Sequence, residues 1–456
     1  MGIKGKRVDM LQGSLPVNLL RFAIPVMLSG LLQLAFNAAD VIVVGRYAGD
    51  AALAAVTSSS PLINLLINTF IGFSMGTNVV VAQALGRRDE DHVERAVHAC
   101  VLLGILLGVT VGAVGFISAT ALLRFMDTPE TVVGEAVVYL RIYFLGVPAL
   151  TVYNFGAAVL RGSGDTRRPM NFLLVSGVVN VLLNLLFVIG FNMGVAGVAW
   201  ATTAANCLAC LLVIRCMTGE NDCRHLDLRR LRMDRQVLGQ VVRIGVPASL
   251  QSVLMSVSNV VTQSGINSFG EVVMAGSGAS GNIEGFVWTA MNSFYQACLT
   301  FTGSNLGAKQ LDRVDKVMAH CMWMAGAVGM IAGGGACLFG KQLLGIYTGS
   351  VQAVEYGLLR MYMICLPYFL YGMADAVLGS MRGMGWSVPP TISCLACLCA
   401  FRLVWMETVF RQNPTQPMLY MCYPISWGLV LAVNLLCWCF VRSRVRAKTE
   451  AERSGE

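Results

Sequence analysis

A few polar side chains lie inside long apolar stretches of this chain, where such residues are rare. Asp40 follows Asn37 by almost one helical turn, so the two side chains share one face of a helix. A charged side chain at the centre of a bilayer costs about 2.5–3.5 kcal/mol on insertion scales, and residues of this kind usually have a function. We therefore predict that Asp40 binds and releases a small cation, with an ion pair to an arginine near the outer surface as the alternative.

Two asparagines on a later apolar stretch could complete that site. Asn180 and Asn184 are one helical turn apart. Their amide oxygens suit Na+, which prefers oxygen ligands, whereas a lone carboxylate among neutral amides could instead carry H+. Asparagine also joins helices by hydrogen bonds in membranes, so a structural role is the alternative. The predicted cation-binding set is Asp40, Asn37, Asn180 and Asn184, and the coupling ion is either H+ or Na+.

Other polar and aromatic side chains within apolar stretches are candidates for lining a substrate cavity. This predicted set consists of Asn68, Thr202, Gln251, Glu284 and Trp288. Glu284 could provide the counter-charge for a cationic substrate. Asp375 is expected to pair or cap structurally, with a part in transport as the alternative.

Catalytic and nucleotide-dependent functions find little support in the residue pattern. No His, Ser or carboxylate constellation has catalytic spacing, and the GxxxxGK[ST] pattern of a phosphate-binding loop does not occur. The fifteen cysteines fall largely in apolar stretches, where they behave as small apolar residues, so we expect neither zinc nor disulfides. A metal site at His92 and His98 with their acidic neighbours is a weak alternative. The chain is predicted not to be an enzyme and to need no cofactor beyond the coupling ion.

These residues belong to two copies of one unit. The segment LRGSGDTRRP at Leu160–Pro169 returns as MRGMGWSVPP at Met381–Pro390, displaced by 221 residues. Nearly the same displacement carries Pro25 onto Pro247, so the chain is an internal repeat of about 220 residues. The repeated motif is predicted to form two tight structural turns, built from Arg161, Gly162, Gly164, Arg382, Gly383 and Gly385.

Composition shows that the repeating unit is membrane-embedded. Hydrophobic residues make up 56% of the chain and charged residues only 13%. Twelve apolar stretches are long enough to cross about 30 Å of hydrocarbon, and helices satisfy their backbone groups in lipid. These stretches lie at 17–44, 51–80, 95–118, 132–160, 169–190, 194–216, 238–266, 276–304, 314–340, 352–381, 388–410 and 418–441.

The predicted fold is an all-α integral membrane protein with twelve transmembrane helices in two six-helix bundles. An even number of helices in each copy relates the bundles by a parallel repeat. We predict an N-terminal lobe at 1–216, a cytoplasmic linker at 217–237, and a C-terminal lobe with a short cytoplasmic tail at 238–456. Most Lys and Arg residues fall on one predicted face, which makes both termini cytoplasmic. The net charge of +8 therefore reflects topology, and no nucleic-acid partner is expected.

Four further stretches resemble one transporter family over essentially the whole chain. They are AFNAADVIVVGRYAGDAALAAV from Ala35, AQALGRRD from Ala82, GVAGVAWAT from Gly194 and FTGSNLGAK from Phe301. Together with the paired RGxG turns they are similar to multidrug and toxic compound extrusion (MATE) transporters, on the branch that includes the DNA-damage-inducible bacterial members. The resemblance implies two six-helix lobes, a substrate cavity between them, and export of amphipathic, often cationic compounds driven by inward Na+ or H+.

The resemblance also implies a role for Asp40, which matches the cation-binding carboxylate of helix 1 in that family. Many members carry an Asp one turn after an Asn in helix 5, whereas this chain has Asn184 after Asn180. The expected protein is a monomeric, multi-pass transporter of the bacterial inner (cell) membrane that works by alternating access on a small-molecule substrate. A flippase for lipid-linked saccharides is the first alternative, although few cationic residues lie within the predicted spans. A membrane-embedded enzyme is the second.

Overall fold

The computed structural model describes residues 7–126 and 128–454, without the side chains at 50, 51, 453 and 454. The backbone in these ranges is helical and contains no strand, which confirms the predicted all-α class. Lys4 and Lys6, predicted to be cytoplasmic, lie outside the described residues. The helices of the first repeat are α1 Leu15–Val43, α2 Asp50–Arg87, α3 Glu90–Phe125, α4 Glu130–Gly162, α5 Arg167–Leu185 and α6 Gly194–Thr218.

The second repeat follows the same order, but several of its helices are interrupted. They are α7 Arg235–Asn267, α8 Glu271–Gly307, α9 Leu311–Leu338, α10 Gly340–Tyr347, α11 Val351–Cys365, α12 Tyr368–Gly383, α13 Val388–Cys394, α14 Phe401–Trp405 and α15 Gln416–Ser454. One-turn π-helical segments follow α1, α5, α13 and α14, at Val44–Ala48, Leu186–Gly190, Leu395–Ala400 and Met406–Phe410. Such segments are rare in helices and are frequent at functional sites.

The helices account for the twelve predicted spans. Ten continuous helical segments in the described chain are long and apolar enough to cross a membrane, and α11 with α12 forms an eleventh that bends by 41°. The twelfth is α8, whose 37 residues span about 55 Å at 1.5 Å per residue. Unlike the other eleven, α8 is not apolar enough to qualify as a membrane span by composition. Most of its residues are buried, so it needs little apolar surface for lipid.

The helices form two compact units, each with its own buried core. The first unit comprises Leu28–Gly245 and the segment Met1–Arg7, of which only Arg7 is described. The second unit comprises Val8–Met27 and Val246–Glu456. The continuous helices α1 and α7 therefore contribute to both units, and their division falls next to Pro25 and Pro247. Related prolines thus mark the change of packing partners in each repeat.

This division differs from the predicted lobes at 1–216 and 238–456, because the predicted linker packs into the first unit. Leu226 in the segment between α6 and α7 is only 1% exposed and belongs to a core cluster of that unit. The backbone N–H of Asp227 donates to His98 Nε2 on α3 at 3.1 Å. The segment 217–237 is therefore anchored to the first unit through Leu226 and Asp227.

The two RGxG turns have matching backbone geometry. Gly164 and Gly385 have φ values of +81° and +84°, in the region that favours glycine. The N–H of each glycine donates to the carbonyl of the motif arginine, at 2.9 Å to Arg161 and 2.8 Å to Arg382. This pattern ends α4 and α12 in the same way, which supports the predicted structural turns.

The other motif glycines allow close helix contacts. A Cβ atom on Gly162 would lie 2.8 Å from the carbonyl oxygen of Asn78, and one on Gly383 would lie 2.5 Å from that of Leu299. Real Cβ atoms essentially never approach backbone oxygens this closely. α4 therefore crosses α2 at Gly162, and α12 crosses α8 at Gly383.

Candidate functional site

A hydrogen bond joins the predicted carboxylate of α1 to the amides of α5. Asn184 Nδ2 donates to Asp40 Oδ1 at 2.5 Å and also to Asn180 Oδ1 at 2.8 Å. Asn180 Nδ2 in turn lies 3.4 Å from Thr202 Oγ1 on α6. Four residues on three helices of the first unit therefore form one continuous polar chain, which we call the Asp40 chain.

The Asp40 chain is shielded on most sides. Asn180 and Asn184 are 6% and 1% exposed, while Asp40 and Thr202 are half-buried. Tyr139 on α4 is buried within electrostatic reach of Asp40, and its ring stacks on that of Tyr143 at 6.4 Å. The carboxylate is thus partly shielded, and the partners described for it, Asn184 and Tyr139, are neutral polar residues.

Close packing fixes the position of α1 against α5. A Cβ atom on Gly177 would lie 1.9 Å from the ring of Phe36, so the two helices meet where α5 has no side chain. Phe36 is one turn before Asp40 and Gly177 is two turns before Asn184, so this contact sets the distance between the carboxylate and the amide. A π-helical segment begins soon after Asp40, and another begins directly after the end of α5.

The oxygens of the Asp40 chain suit a small cation. Asp40 offers two carboxylate oxygens, Thr202 a hydroxyl, and the asparagines two amide oxygens. Asn184 Oδ1 is buried and accepts no hydrogen bond from the described residues. A buried carbonyl without a donor costs free energy that a bound cation would recover. The same carboxylate could alternatively take up a proton.

The other predicted site residues occupy different places. Asn37 is exposed, and it takes no part in the hydrogen bonds described for the Asp40 chain. Of the predicted cavity set, Thr202 joins the Asp40 chain, whereas Asn68 in the first unit and Trp288 in the second are exposed. Gln251 and Glu284 belong to two arginine-centred networks of the second unit.

Glu284 on α8 forms a buried ion pair with Arg360 on α11. Arg360 Nε donates to Glu284 Oε1 at 2.7 Å, and its Nη2 donates to Oε2 at 2.8 Å. Both side chains are about nine-tenths buried, at 11% and 12% exposure. Arg360 Nη1 also donates to Ser277 Oγ at 2.7 Å. Glu284 is thus already neutralised, so its predicted use as a counter-charge for a substrate would require this pair to open.

Gln251 on α7 accepts a hydrogen bond from the motif arginine of the second repeat. Arg382 Nη2 donates to Gln251 Oε1 and its Nη1 donates to Tyr295 Oη, both at 2.8 Å. Arg382 is 4% exposed, and Asp375 lies within its electrostatic reach with a hydrogen bond to Asn292. Arg382 therefore ties three helices together, a larger role than the predicted turn. Its place in the repeated RGxG motif was the only sequence signal for this role.

This architecture is that of a helical membrane transporter. Two six-helix repeats carry buried polar networks, and the Asp40 chain lies near the π-helical segments that follow α1 and α5. Comparison with known proteins identifies the family. The model of the MatE family matches residues 25–186 and 247–405, one match in each repeat. The chain belongs to the MatE family, in agreement with the resemblance seen in its sequence.

Relatives and solved structures cover most of the chain. It is 31% identical to the probable multidrug resistance protein YoeA of Bacillus subtilis, over 81% of this chain and 82% of that protein. It is 21% identical to the multidrug export protein MepA of Staphylococcus saprophyticus, over 91% of this chain and 90% of that protein.

Among solved structures, a transporter of the MOP superfamily from Pyrococcus furiosus matches with a TM-score of 0.90. The two are 22% identical, and the match covers 97% of this chain and 99% of that one. An outward-facing multidrug resistance MATE transporter matches with a TM-score of 0.88 and 22% identity, covering 97% of this chain and 98% of that one. At this identity the structural matches establish the shared twelve-helix fold.

Proposed function

We propose that the protein is a secondary active efflux transporter, which exports amphipathic small molecules in exchange for H+ or Na+. Family membership and the multidrug relatives support export as the activity. The Asp40 chain is the observation that carries the coupling proposal. It places one ionisable group among neutral oxygens inside a span, where a cation changes the local charge most strongly.

Coupling follows from what the cation does to the Asp40–Asn184 hydrogen bond. An ionised Asp40 accepts this bond strongly, because hydrogen bonds to charged groups are roughly twice as strong as neutral ones. A proton or Na+ on Asp40 neutralises the acceptor and weakens its hold on Asn184. The preferred packing of α1 against α5 then changes, and a cation can shift the protein only by binding its two states unequally.

The proposed setting is the cell membrane of a bacterium, with both termini in the cytoplasm. The transporter works as a monomer by alternating access, and amphipathic cations are among its substrates. The excess of basic residues in the predicted cytoplasmic loops and the bacterial relatives support this proposal.

Transport by purified protein in proteoliposomes tests the proposal. Rhodamine 123 uptake is measured under an imposed Na+ gradient and, separately, under an imposed pH gradient, in the absence of ATP. Wild-type protein should accumulate the dye under at least one gradient. Asp40→Asn keeps the size of the side chain but cannot change charge, so it should bind the dye and fail to accumulate it.

Asp312→Asn is the matched control, because Asp312 is an exposed carboxylate in the first turn of α9. This variant should transport as the wild type does. Undiminished accumulation by Asp40→Asn would place coupling elsewhere. A strict ATP requirement of the purified wild type would overturn the secondary-transporter proposal.

A further inference from the structure

The second unit buries an arginine where its helix is most irregular. Arg402 lies on the short helix α14, between the π-helical segments Leu395–Ala400 and Met406–Phe410. It is only 3% exposed, and the surrounding segment Val388–Phe410 is apolar enough to span a membrane. A guanidinium is among the most costly groups to place inside a membrane span, and charges at such positions usually mark ligand or ion pathways.

Arg402 has neutral neighbours. Its Nε donates to Ser426 Oγ at 3.3 Å, and the guanidinium carbon lies 4.3 Å from the centre of the Tyr423 ring. No carboxylate among the described residues forms an ion pair with it. Glu407, the nearest acidic residue in the chain, instead pairs with exposed Arg411 at 3.1 Å.

The other buried charges around Arg402 in the second unit are compensated. Arg360 is neutralised by Glu284 in a bidentate pair. Arg382 lies within electrostatic reach of Asp375. Arg402 is therefore a surplus positive charge among the described side chains of this region, and an anion is the group that would compensate it.

Aromatic rings extend the site away from the guanidinium. Tyr423, over which Arg402 lies, packs edge-on against Trp427 at 5.8 Å. Trp427 stacks on Tyr368 at 4.7 Å and lies 6.0 Å from Tyr371. The three tyrosines are half-buried, so ring surface remains for a further contact. Large flat side chains of this kind bind planar molecules by offset or edge contacts.

We propose that Arg402 and this aromatic group form a binding subsite for substrates that carry a carboxylate or sulfonate on a flat aromatic body. The planar guanidinium matches two anion oxygens at once, which a single serine contact does not use up. The half-buried ring of Tyr423 contacts the body of the molecule, and the buried Trp427 holds that ring and those of Tyr368 and Tyr371 in place. This subsite rests on the proposed efflux function for its role, and it adds anionic aromatic compounds to the substrates.

Two dyes with the same xanthene core test the proposal. Fluorescein carries negative charge, whereas rhodamine 123 carries a positive charge. The difference between their binding affinities therefore reports which charge the subsite prefers. Binding to purified full-length protein is measured by fluorescence anisotropy for the wild type and for Arg402→Met. We expect the substitution to weaken fluorescein binding by about tenfold or more, as the loss of one charge-assisted contact predicts, and to leave rhodamine 123 within about threefold.

Arg411→Met is the matched control, because it removes an exposed arginine directly after the end of the same span. It should change the binding of neither dye. If Arg402→Met does not fold, as judged by size exclusion and thermal unfolding, Arg402→Lys replaces it, because lysine keeps the charge but loses the planar fork. Its fluorescein affinity should fall by about threefold without a matching change for rhodamine 123.

The outcomes separate this subsite from the proposed function. Equal losses for both dyes in the folded variant, or no fluorescein binding by the wild type, would overturn the subsite. Ion-driven rhodamine 123 transport by the same preparation would then leave the efflux function standing. Conversely, Arg402-dependent fluorescein binding without ion-driven transport of either dye would support the subsite and contradict the efflux function.

Discussion

Asn184 on α5 and Asp40 on α1 are joined by a hydrogen bond of 2.5 Å, although they lie 144 residues apart in the chain. The same amide group also donates to Asn180, which leaves Asn184 Oδ1 buried without a donor among the described residues. One asparagine thus orients the carboxylate and presents an oxygen for a cation. Where many family members carry a second acid, this chain has an amide whose N–H groups donate two hydrogen bonds and whose oxygen is left without a donor among the described residues.

Asn184→Ala should uncouple transport from the ion gradient. Removing the amide deletes a hydrogen bond to a charged group, worth about 1.5–3 kcal/mol, and so should lower gradient-driven rhodamine 123 transport by about tenfold or more. Asn171→Ala, near the start of the same helix, is the control and should transport normally. The initial rate in proteoliposomes is the measurement, and an unchanged rate in Asn184→Ala would show that the Asp40–Asn184 bond is not needed for coupling.

Gly276→Ala should destabilise the second unit, whereas Gly278→Ala should not. A Cβ atom on Gly276 would lie 2.1 Å from the carbonyl oxygen of Ala353, but one on Gly278 meets nothing within 4 Å. Overpacking of this kind costs about 1–3 kcal/mol, while alanine in an open helix position gains up to about 1 kcal/mol over glycine. Thermal unfolding in detergent compares the two variants, and equal unfolding temperatures would contradict the close contact between α8 and α11.

Single cysteines should report the orientation of the loops. In a background without the exposed Cys207 and Cys439, cysteines placed near Arg167, Arg230 and Lys309 should react with an impermeant reagent only from the cytoplasmic side. Cysteines near Asn192 and Gln412 should react only from outside. Labelling of intact cells and of inside-out vesicles measures this, and the reverse pattern would invert the proposed topology.

The helices and turns were predictable because they depend on local patterns in the sequence. Apolar length gives the spans, and the displaced RGxG motif gives two turns whose glycines adopt the same positive φ. Asp40 and Asn184 could be singled out, since each is polar within an apolar run. Their contact with each other depends on how α1 and α5 pack at Phe36 and Gly177, which local sequence patterns do not determine.

The arginine networks were harder to predict, because their partners lie on different helices. Glu284 is separated from Arg360 by 76 residues, and the sequence does not show which polar side chain meets which. Arg402 and Glu407 are five residues apart, which is not the spacing of an ion pair along one α-helix. The π-helical segment after α14 shifts the helical register between them, and Glu407 pairs along its own helix end with Arg411.

Removing Asp234 should weaken the start of α7 in a pH-dependent way. Its carboxylate accepts hydrogen bonds from the backbone N–H groups of Val237 at 3.0 Å and Gln236 at 2.8 Å, and these bonds lower the pKa of Asp234. Because the folded pKa is depressed, the stabilisation is complete above the unfolded pKa of about 3.9 and is lost as pH falls through the folded value. Asp234→Ala should therefore cost about 1 kcal/mol at neutral pH and progressively less in acid.

Thermal unfolding of the wild type and of Asp234→Ala across this pH range measures the effect. Asp312→Ala is the control, since Asp312 lies in the first turn of α9 and does not occupy the capping position. Its effect should be small at every pH. A difference for Asp234→Ala that grew on acidification would contradict the assigned cap.

Breaking the pair of Glu284 and Arg360 should destabilise the protein more than removing both charges. Glu284→Gln leaves a buried guanidinium without its carboxylate, which typically costs about 3–5 kcal/mol, whereas replacing both partners by uncharged residues is often close to neutral. The double variant Glu284→Gln/Arg360→Met should therefore unfold at a higher temperature than Glu284→Gln alone. The exposed pair of Glu407 and Arg411 provides the control double-mutant cycle, in which the expected coupling free energy is about 0–1 kcal/mol. If Glu284→Gln were no more damaging than Glu407→Gln, the Glu284–Arg360 pair would have to be open to water, and Glu284 would again be available to meet a cationic substrate.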